Sequence, residues 1–270
     1  MTELRFLHIY NGSRSSSLRL DRIADYLKDI LPALEIDVRD EKILFSEMER
    51  TAKTFALLRV RDLMKRFVPE APSEPEINYE LKRLRDPSFT IWGILYEGFR
   101  LSDELSRSIP ADESDPSHLH IYLTNQLLGS YDIGTRRYHA RYAIYAFPCI
   151  ASTTGMVVAP AKPKEYYMIK QKIKRFAEDE IFDTMVKEAF KGRFLEHDDE
   201  RMNEVMKGVM LQCIFYHTTG DPFCENKNCR LYNAHWQEEL LLSQTGAEAG
   251  LCKSHSRSLS SIFNLRAKGT

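Results

Sequence analysis

Leu4-Arg-Phe-Leu-His-Ile-Tyr10 is a short apolar run typical of a strand, and the turn signal Asn11-Gly12-Ser13 ends it. Residues 18–31 then carry apolar side chains at helical spacing, and residues 34–38 alternate as a half-buried strand does. Strand, helix and strand in this order predict a βαβ unit. The sequence therefore predicts an α/β fold in which a mixed sheet packs against helices.

Helical and strand-like patterns alternate over the rest of the chain. Residues 42–68 are predicted to form one long helix, and residues 89–101 a buried strand that turns helical toward Leu105. The whole chain, 1–270, is predicted to be one domain with helical additions at about 42–105 and 164–196. The remaining predictions are, in chain order, a strand at 118–123, a loop at 129–137, two strands at 140–150 and 155–159 joined by a turn (or one strand followed by an edge strand), helices at 166–177 and 181–190, a helix from about 198 to 217, and a short helix at 254–265.

Composition and charge are those of an ordinary globular protein. The chain has 270 residues and a net charge of −1, so nothing global attracts it to nucleic acid or to an anionic membrane. No apolar run approaches the roughly 18 residues of a membrane span, and the N-terminus shows no signal peptide. The five cysteines fit reduced thiols and metal ligation better than a disulfide framework. We therefore expect a cytoplasmic protein with no membrane partner, and the net charge argues against a nucleic-acid partner.

Two short pairs of metal-ligating residues stand near the C-terminus. Cys224 and Cys229 form the first pair, and Cys252 and His255 form the second. Two ligands from one loop and two from another are what a closed, structural zinc site needs, so one Zn²⁺ per chain is predicted. His235 lies between the pairs and is an alternative fourth ligand, although its neighbour Trp236 favours packing. The competing interpretation is a set of unrelated core thiols and an exposed histidine.

A second pattern precedes these pairs. Cys213 and His217 are four residues apart, so on a helix they share one face, as the two metal ligands of a zincin helix do. The stretch resembles the archaemetzincins, a metzincin-like metalloprotease family whose HExxHxxGxxH motif is followed by Cys, four residues and Cys, and later by CxxC. His217 and Gly220 match the second histidine and the glycine of that motif. The cysteines that follow also match, except that His255 replaces the last one. The resemblance implies a metzincin-like α/β fold with a motif helix and a zinc-binding subregion at 213–265.

The departures from the motif concern its chemistry. Cys213 stands at the first histidine, Ile214 at the catalytic glutamate and Phe223 at the third histidine. A zinc hydrolase needs three protein ligands and a base that takes the proton of the attacking water. Ile214 has no basic group and Phe223 has no ligand atom. We therefore predict that Cys213, His217 and Gly220 are relics of the motif, with Cys213 a buried apolar residue and His217 a core or helix-end histidine.

Three functions remain open from the sequence. The first is a metallopeptidase-fold protein with a structural zinc and no peptidase activity, which binds a peptide or protein. The second is an active zinc metallopeptidase in which Cys213 and His217 are joined by Asp221, His118 or His120. The third is a zinc-knuckle module for a protein or nucleic acid, although the near-zero net charge argues against nucleic acid.

The pair His118 and His120 alternates along a predicted strand, so both side chains point to one face. Such a pair could form half of a metal site. The neighbouring sequence shows no carboxylate pattern that would complete it. We therefore predict that both residues lie on a solvent-facing strand surface.

Overall fold

The computed structural model describes residues 4–13, 15–45, 47–86, 93–173 and 188–264. Strands and helices alternate along the chain, which confirms the predicted α/β class. The strands are β1 (Phe6–Gly12), β2 (Glu35–Asp40), β3 (Leu95–Glu97), β4 (His118–Thr124), β5 (Leu127–Asp132), β6 (Arg137–Arg141), β7 (Ala143–Ile144) and β8 (Cys149–Ser152). The helices are α1 (Leu20–Ile30), α2 (Met48–Leu57), α3 (Glu74–Arg85), α4 (Gly98–Ser106), α5 (Thr153–Val158), α6 (Lys164–Ile173), α7 (Met202–Thr219), α8 (Gln237–Thr245) and α9 (Lys253–Ile262), with 3-10 turns at Glu41–Leu44 and Ala111–Glu113.

The larger sheet has the strand order β2-β1-β4-β8-β7. Its first four strands are parallel, and β7 runs antiparallel to β8 at the edge. Strands β1 and β2 flank α1 and pair in parallel, so the predicted βαβ unit is confirmed. In the pairing of β1 with β4, Phe6 lies opposite His118 and His8 opposite His120. This register places the alternate residues of both strands on a common face.

The two faces of this sheet contact different helices. Ile9 and Ile121 belong to a core that includes residues of α1 and α7. Tyr10 and Tyr122, the next residues along the same strands, belong to a second core with residues of α2 and α4. Any side chain on β1 or β4 therefore faces either α7 or α2, and its position along the strand decides which.

The single helix predicted at 42–68 is wrong. The chain forms a 3-10 turn and the helix α2, and then continues in extended form from about residue 58. The Val60 amide donates to the Leu95 carbonyl at 2.8 Å, and the Glu97 amide donates to the Leu58 carbonyl at 2.9 Å. Pairing with β3 thus replaces the helical hydrogen bonds that the apolar spacing of this stretch would also have allowed.

A buried carboxylate holds this region together. Glu80 on α3 is fully buried, and its Oε1 accepts hydrogen bonds from Arg59 Nη2 at 2.6 Å and from the Tyr96 hydroxyl at 2.7 Å. Its Oε2 accepts from Arg83 Nε at 2.9 Å. The Glu80 cluster, namely these four residues, therefore joins α3 to β3 and to the extended segment that follows α2.

The loop predicted at 129–137 is also wrong, because β5 and β6 form a hairpin in which Tyr131 lies opposite Tyr138. The strand residues next to the turn are polar and at least partly exposed to solvent, like most residues of the turn itself. The Asp132 carboxylate accepts a hydrogen bond from the Thr135 amide at 2.7 Å, and Arg136 has a left-handed φ of 54°. Because polar residues continue from the turn into both strands, the sequence of this stretch is typical of a loop.

The strand predicted at 155–159 is wrong as well, because Gly155 lies in α5. The Ser152 hydroxyl accepts a hydrogen bond from the Gly155 amide at 2.8 Å and so caps the first turn of that helix. Gly155 lies against the carbonyl oxygen of Arg141 and the Cα of Tyr142, with no room for a Cβ. The glycine allows α5 to follow β8 directly, and the short apolar run therefore forms a helix.

We expect Gly155→Ala to destabilise the protein by about 1–3 kcal/mol, because the new methyl would meet backbone atoms that can move only together with β6. Urea unfolding followed by circular dichroism measures this change. Gly134→Ala is the matched control, because its Cβ would meet only the Asp132 carboxylate at 3.3 Å. Equal stability of the two variants would contradict the close packing of α5 on β6.

The helices predicted in the C-terminal half of the chain are confirmed where the structure describes them. Helix α7 ends where Gly220 takes a left-handed φ of 80°, as the sequence predicts, and α9 confirms the described part of the helix predicted at 254–265. Helix α6 is the described part of the helix predicted at 166–177, whereas most of 181–190 lies outside the described residues. No helix in the described ranges is long and apolar enough to cross a membrane.

Candidate metal centres

The C-terminal thiol cluster consists of Cys224, Cys229, Cys252 and His255, whose ligand atoms all lie within 4.8 Å of one another. The Sγ atoms of Cys224 and Cys252 are 4.0 Å apart, and the Cys252 Sγ is 3.2 Å from His255 Nδ1. A tetrahedral ion with zinc-like bonds of about 2.1–2.3 Å places its ligand atoms about 3.6–3.8 Å apart. The observed separations lie on both sides of those values, so the cluster can hold a metal ion.

Backbone amides support the sulfur atoms of this cluster. The Asn226 amide donates to the Cys224 Sγ and the Cys252 amide donates to the Cys229 Sγ, both at 3.4 Å. Burial opposes ionisation of the Cys252 thiol, but hydrogen bonds from the backbone and ring of His255 outweigh it and lower its pKa to about 7. Because metals bind the thiolate, this environment prepares Cys252 as a ligand.

The fourth member of the cluster is His255, and the structure does not bring His235 to it. His235 is exposed, and its backbone amide donates to the Glu239 carboxylate at 3.3 Å. Cys252 precedes the first turn of α9, so His255 follows one turn later and faces back toward the thiols. The short helix thus decides which histidine joins the cluster.

The thiol cluster is attached to α7 through packing and ion pairing. The His255 ring lies edge-on to Phe215 of α7, with a centroid distance of 5.2 Å. Arg230 directly follows the fully buried Cys229, and its guanidinium contacts the Glu204 carboxylate at 2.6 Å. An ion in the cluster would therefore stabilise the packing of the C-terminal segment against α7.

On α7, the positions that correspond to the first ligand and to the base are in the core. Cys213 and Ile214 are both fully buried. A hydrogen bond with Cys149, together with burial, raises the pKa of the Cys213 thiol well above its usual range, which disfavours the metal-binding thiolate. His217 lies near the end of α7, where its Nε2 donates to the Pro116 carbonyl at 2.8 Å. The predicted environments of both residues agree with this arrangement.

Phe223, which stands at the third ligand position, packs edge-on against Tyr145 with a centroid distance of 5.3 Å. The Tyr145 hydroxyl donates to Gln212 Oε1 of α7 at 2.7 Å. Phe223, Tyr145 and His235 line a cavity of about 150 Å³ beside β7. Asp221 is exposed, and its carboxylate accepts a hydrogen bond from the Phe223 amide at 3.0 Å.

A second group of ligands, the histidine cluster, consists of His8, His118 and His120, with ligand atoms that also lie within 4.8 Å of one another. The solvent-facing surface predicted for the pair on β4 is wrong, because His120 is fully buried and His118 is half-buried. His8 of β1, which joins them, is 5% exposed. Burial is the main cause that lowers the pKa of His120 to about 4, so its ring is neutral. The sequence analysis missed His8, although its alternation with Phe6 and Tyr10 matches that of the histidines on β4.

The histidine cluster lies on the sheet face that contacts α2 and α4, whereas Cys213 lies in the core on the other face. Neither ligand group found among the described residues includes Cys213, His217 or Asp221. The combination of Cys213 and His217 with a histidine of β4 is therefore not assembled in this structure.

The family model described as "Probable metallopeptidase family (DUF6775)" matches residues 3–262. The chain belongs to this family. The match covers both ligand clusters and α7, so the metallopeptidase resemblance inferred from the motif is confirmed at the level of the family. Neither the curated proteins nor the solved structures give a significant match.

Membership in this metallopeptidase family makes the burial of α7 informative. A hydrolytic metal needs ligands and a base that substrate and water can reach. In this member of the family, residues 213 and 214 are inside the core, and the thiol cluster beyond the helix has four protein ligands and no open position. Residues 213 and 214 are therefore out of reach of substrate and water in this structure.

Proposed function

We propose that the protein is a zinc-stabilised, archaemetzincin-like member of the metallopeptidase family that binds an extended peptide or protein segment without cleaving it. The observation that carries this proposal is the fully buried Ile214 on α7, at the position where a hydrolase of this type has its base. No side chain at that position could take a proton from water and return it to a leaving group.

The assignment of zinc to the thiol cluster rests on the ligand types. Three thiols and one imidazole are soft and borderline donors, which favour zinc over magnesium or calcium. Cys224 and Cys252 are half-buried, and Cys229 is fully buried, so the ion would be largely shielded from solvent. We propose one structural Zn²⁺ there. All five cysteines are free, which supports the further proposal that the protein acts in the reducing cytoplasm.

The peptide-binding part of the proposal rests on β7 and the cavity beside it. Strand β7 is the edge of the larger sheet, with β8 as its partner there. An edge strand offers unpaired amides and carbonyls to which an extended peptide can add as a further strand. Because both residues of β7 are buried, the half-buried Arg141, Tyr142 and Tyr145 that flank it would provide the backbone groups. The aromatic rings of Tyr145 and Phe223 line the adjacent cavity, which is large enough for one apolar side chain of that peptide.

Phe223→Ala is expected to weaken peptide binding about tenfold, because it removes the aromatic wall of the cavity and leaves the edge strand in place. A display library of random peptides, followed by fluorescence anisotropy on the selected sequences, measures the change. Val38→Ala is the matched control, because Val38 is 48% exposed on β2, at the opposite edge of the larger sheet from β7.

Mass spectrometry of the same peptides tests the absence of cleavage. We expect intact peptides after prolonged incubation with the zinc-loaded protein. Chelator-sensitive cleavage that disappears in His217→Ala would contradict the proposal and would favour an active metallopeptidase with unconventional ligands.

A further inference from the structure

The histidine cluster brings three imidazoles together on two neighbouring parallel strands. His8 pairs in register with His120, and His118 lies two residues before His120 on the same face. The Nε2 of His8 is 2.9 Å from Nδ1 of His118, and the ring centroids of His8 and His120 are 4.6 Å apart. Three ring nitrogens therefore converge on one point of the sheet.

A carboxylate completes this group from outside the sheet. Glu113 ends the 3-10 turn before β4, and its Oε2 lies 4.0 Å from His8 Nε2. Both oxygens of Glu113 accept hydrogen bonds from Arg39, at 2.6 and 2.8 Å, so the carboxylate is held at the rim of the histidine cluster. In a tetrahedral zinc site, nitrogen and oxygen ligands are about 3.3 Å apart. Glu113 lies outside the group of three histidines whose ligand atoms are mutually within 4.8 Å, so its side chain would have to move toward the rings when a metal binds.

The neighbouring groups orient two of the rings. Asp37 on β2 accepts a hydrogen bond from His8 Nδ1 at 2.7 Å, which leaves the Nε2 lone pair of His8 directed into the cluster. The Nε2 of His120 is 2.9 Å from the Glu113 carbonyl, and its Nδ1 is 2.9 Å from the Tyr10 hydroxyl. If the Tyr10 oxygen accepts from Nδ1 instead of donating to it, Nε2 of His120 has a lone pair for a metal once the ring and the Glu113 carbonyl move apart. This carboxylate–histidine pairing around the ligands is characteristic of metal sites.

Charge also favours a cation at this place. The carboxylates of Asp37 and Glu113 outnumber the guanidinium of Arg39 by one negative charge. His120 is fully buried and His8 nearly so. A divalent ion would add positive charge beside the two carboxylates and would take the place of the hydrogen between His8 Nε2 and His118 Nδ1 as their common partner.

We propose that His8, His118, His120 and Glu113 bind a second divalent transition metal, with zinc as the best fit. Imidazole and carboxylate ligands suit this ion, and four protein ligands fill a tetrahedral site, so the metal is structural. It ties β1 and β4 to the turn that carries Glu113. The proposal is independent of peptide binding and of the structural zinc, because the site shares no residue with the cavity beside β7 or with the thiol cluster.

The test is a count of zinc in the full chain after equilibration with Zn²⁺ and removal of loose metal. We expect two ions per chain in the wild type, one in His118→Ala and one in Cys252→Ser. His139→Ala is the control and should retain two, because His139 lies on β6 and bonds to Thr135. Circular dichroism shows which variants are folded.

Cobalt distinguishes the two sites in the same samples. Co²⁺ in the thiol cluster gives thiolate-to-metal charge-transfer absorption, whereas Co²⁺ on nitrogen and oxygen ligands gives only d–d bands. Wild-type protein should show both, and His118→Ala should keep only the spectrum with charge transfer. Asp37→Asn should lower the affinity of the second site about 10- to 100-fold while leaving the thiolate bands unchanged.

The proposal is overturned if the wild type holds one ion that Cys252→Ser removes completely, or if folded His118→Ala retains the wild-type zinc content. If His118→Ala does not fold, Glu113→Gln takes its place, with competition against a chromophoric chelator as the readout. An unchanged affinity of the second site in Glu113→Gln would then overturn the assignment of the carboxylate ligand.

Discussion

Cys252→Ser is expected to empty the thiol cluster and to unfold the C-terminal segment that follows α7. The remaining ligands would be two thiols and one imidazole, and zinc affinity falls steeply when a thiolate is lost. Since metal binding at such sites is coupled to folding, we expect a loss of at least about 4 kcal/mol in the free energy of unfolding. Guanidinium unfolding, combined with zinc analysis, measures both effects.

The matched control for this experiment is Cys213→Ser, which removes a thiol from the core of the same protein. Cys213 is fully buried and contacts Cys149, so this substitution should cost about 1–3 kcal/mol and leave the zinc content unchanged. Wild-type protein treated with a strong chelator should resemble Cys252→Ser. If Cys252→Ser retains wild-type zinc content and stability, the thiol cluster is not the structural site.

Glu80→Ala is expected to destabilise the protein by about 3–5 kcal/mol. Glu80 is fully buried, and the Arg83 guanidinium beside it is 7% exposed. Removal of the carboxylate would leave the Arg83 guanidinium without its anion and Arg59 with only Glu76, at 3.9 Å. Arg83 Nη2 already has no hydrogen-bond partner. An unpaired buried charge is among the few changes that cause losses of this size.

Chemical denaturation of Glu80→Ala and of Glu104→Ala provides the comparison. Glu104 forms an exposed ion pair with Arg107, and such pairs contribute about 0–1 kcal/mol. The double variant with Glu80→Leu and Arg83→Met separates the two causes, since an apolar pair of similar volume should restore part of the stability. If Glu80→Ala is as stable as Glu104→Ala, the Glu80 cluster does not join α3 to β3 as described.

Features set by neighbouring residues could be predicted from the sequence. The βαβ unit, the end of α7 at Gly220 and the two ligand pairs of the thiol cluster depend on spacings within one or two elements. The long helix at 42–68 fails for the opposite reason, because pairing with β3 decides the conformation after residue 58. The spacing of apolar residues within this stretch does not show whether it pairs with β3 or continues as a helix.

The histidine cluster shows the same limit at a greater distance. His8 and His118 are separated by 110 positions in the chain and meet only because β1 and β4 are neighbours in the sheet. The matching alternation of the two strands was visible in the sequence, but the strand order was not. With the pairing of β1 and β4 known, His8 could have been added to His118 and His120 as a third candidate ligand.

The burial of α7 also determines what a carboxylate at position 214 would meet. Ile214→Glu would restore the residue type of a base, but its carboxylate would enter a fully apolar core, where burial raises the pKa and keeps the group protonated. The same change would destabilise the fold by several kcal/mol, on the order of a typical buried polar group. Ile214 thus contributes to the packing of α7, and a carboxylate at this position would weaken that packing.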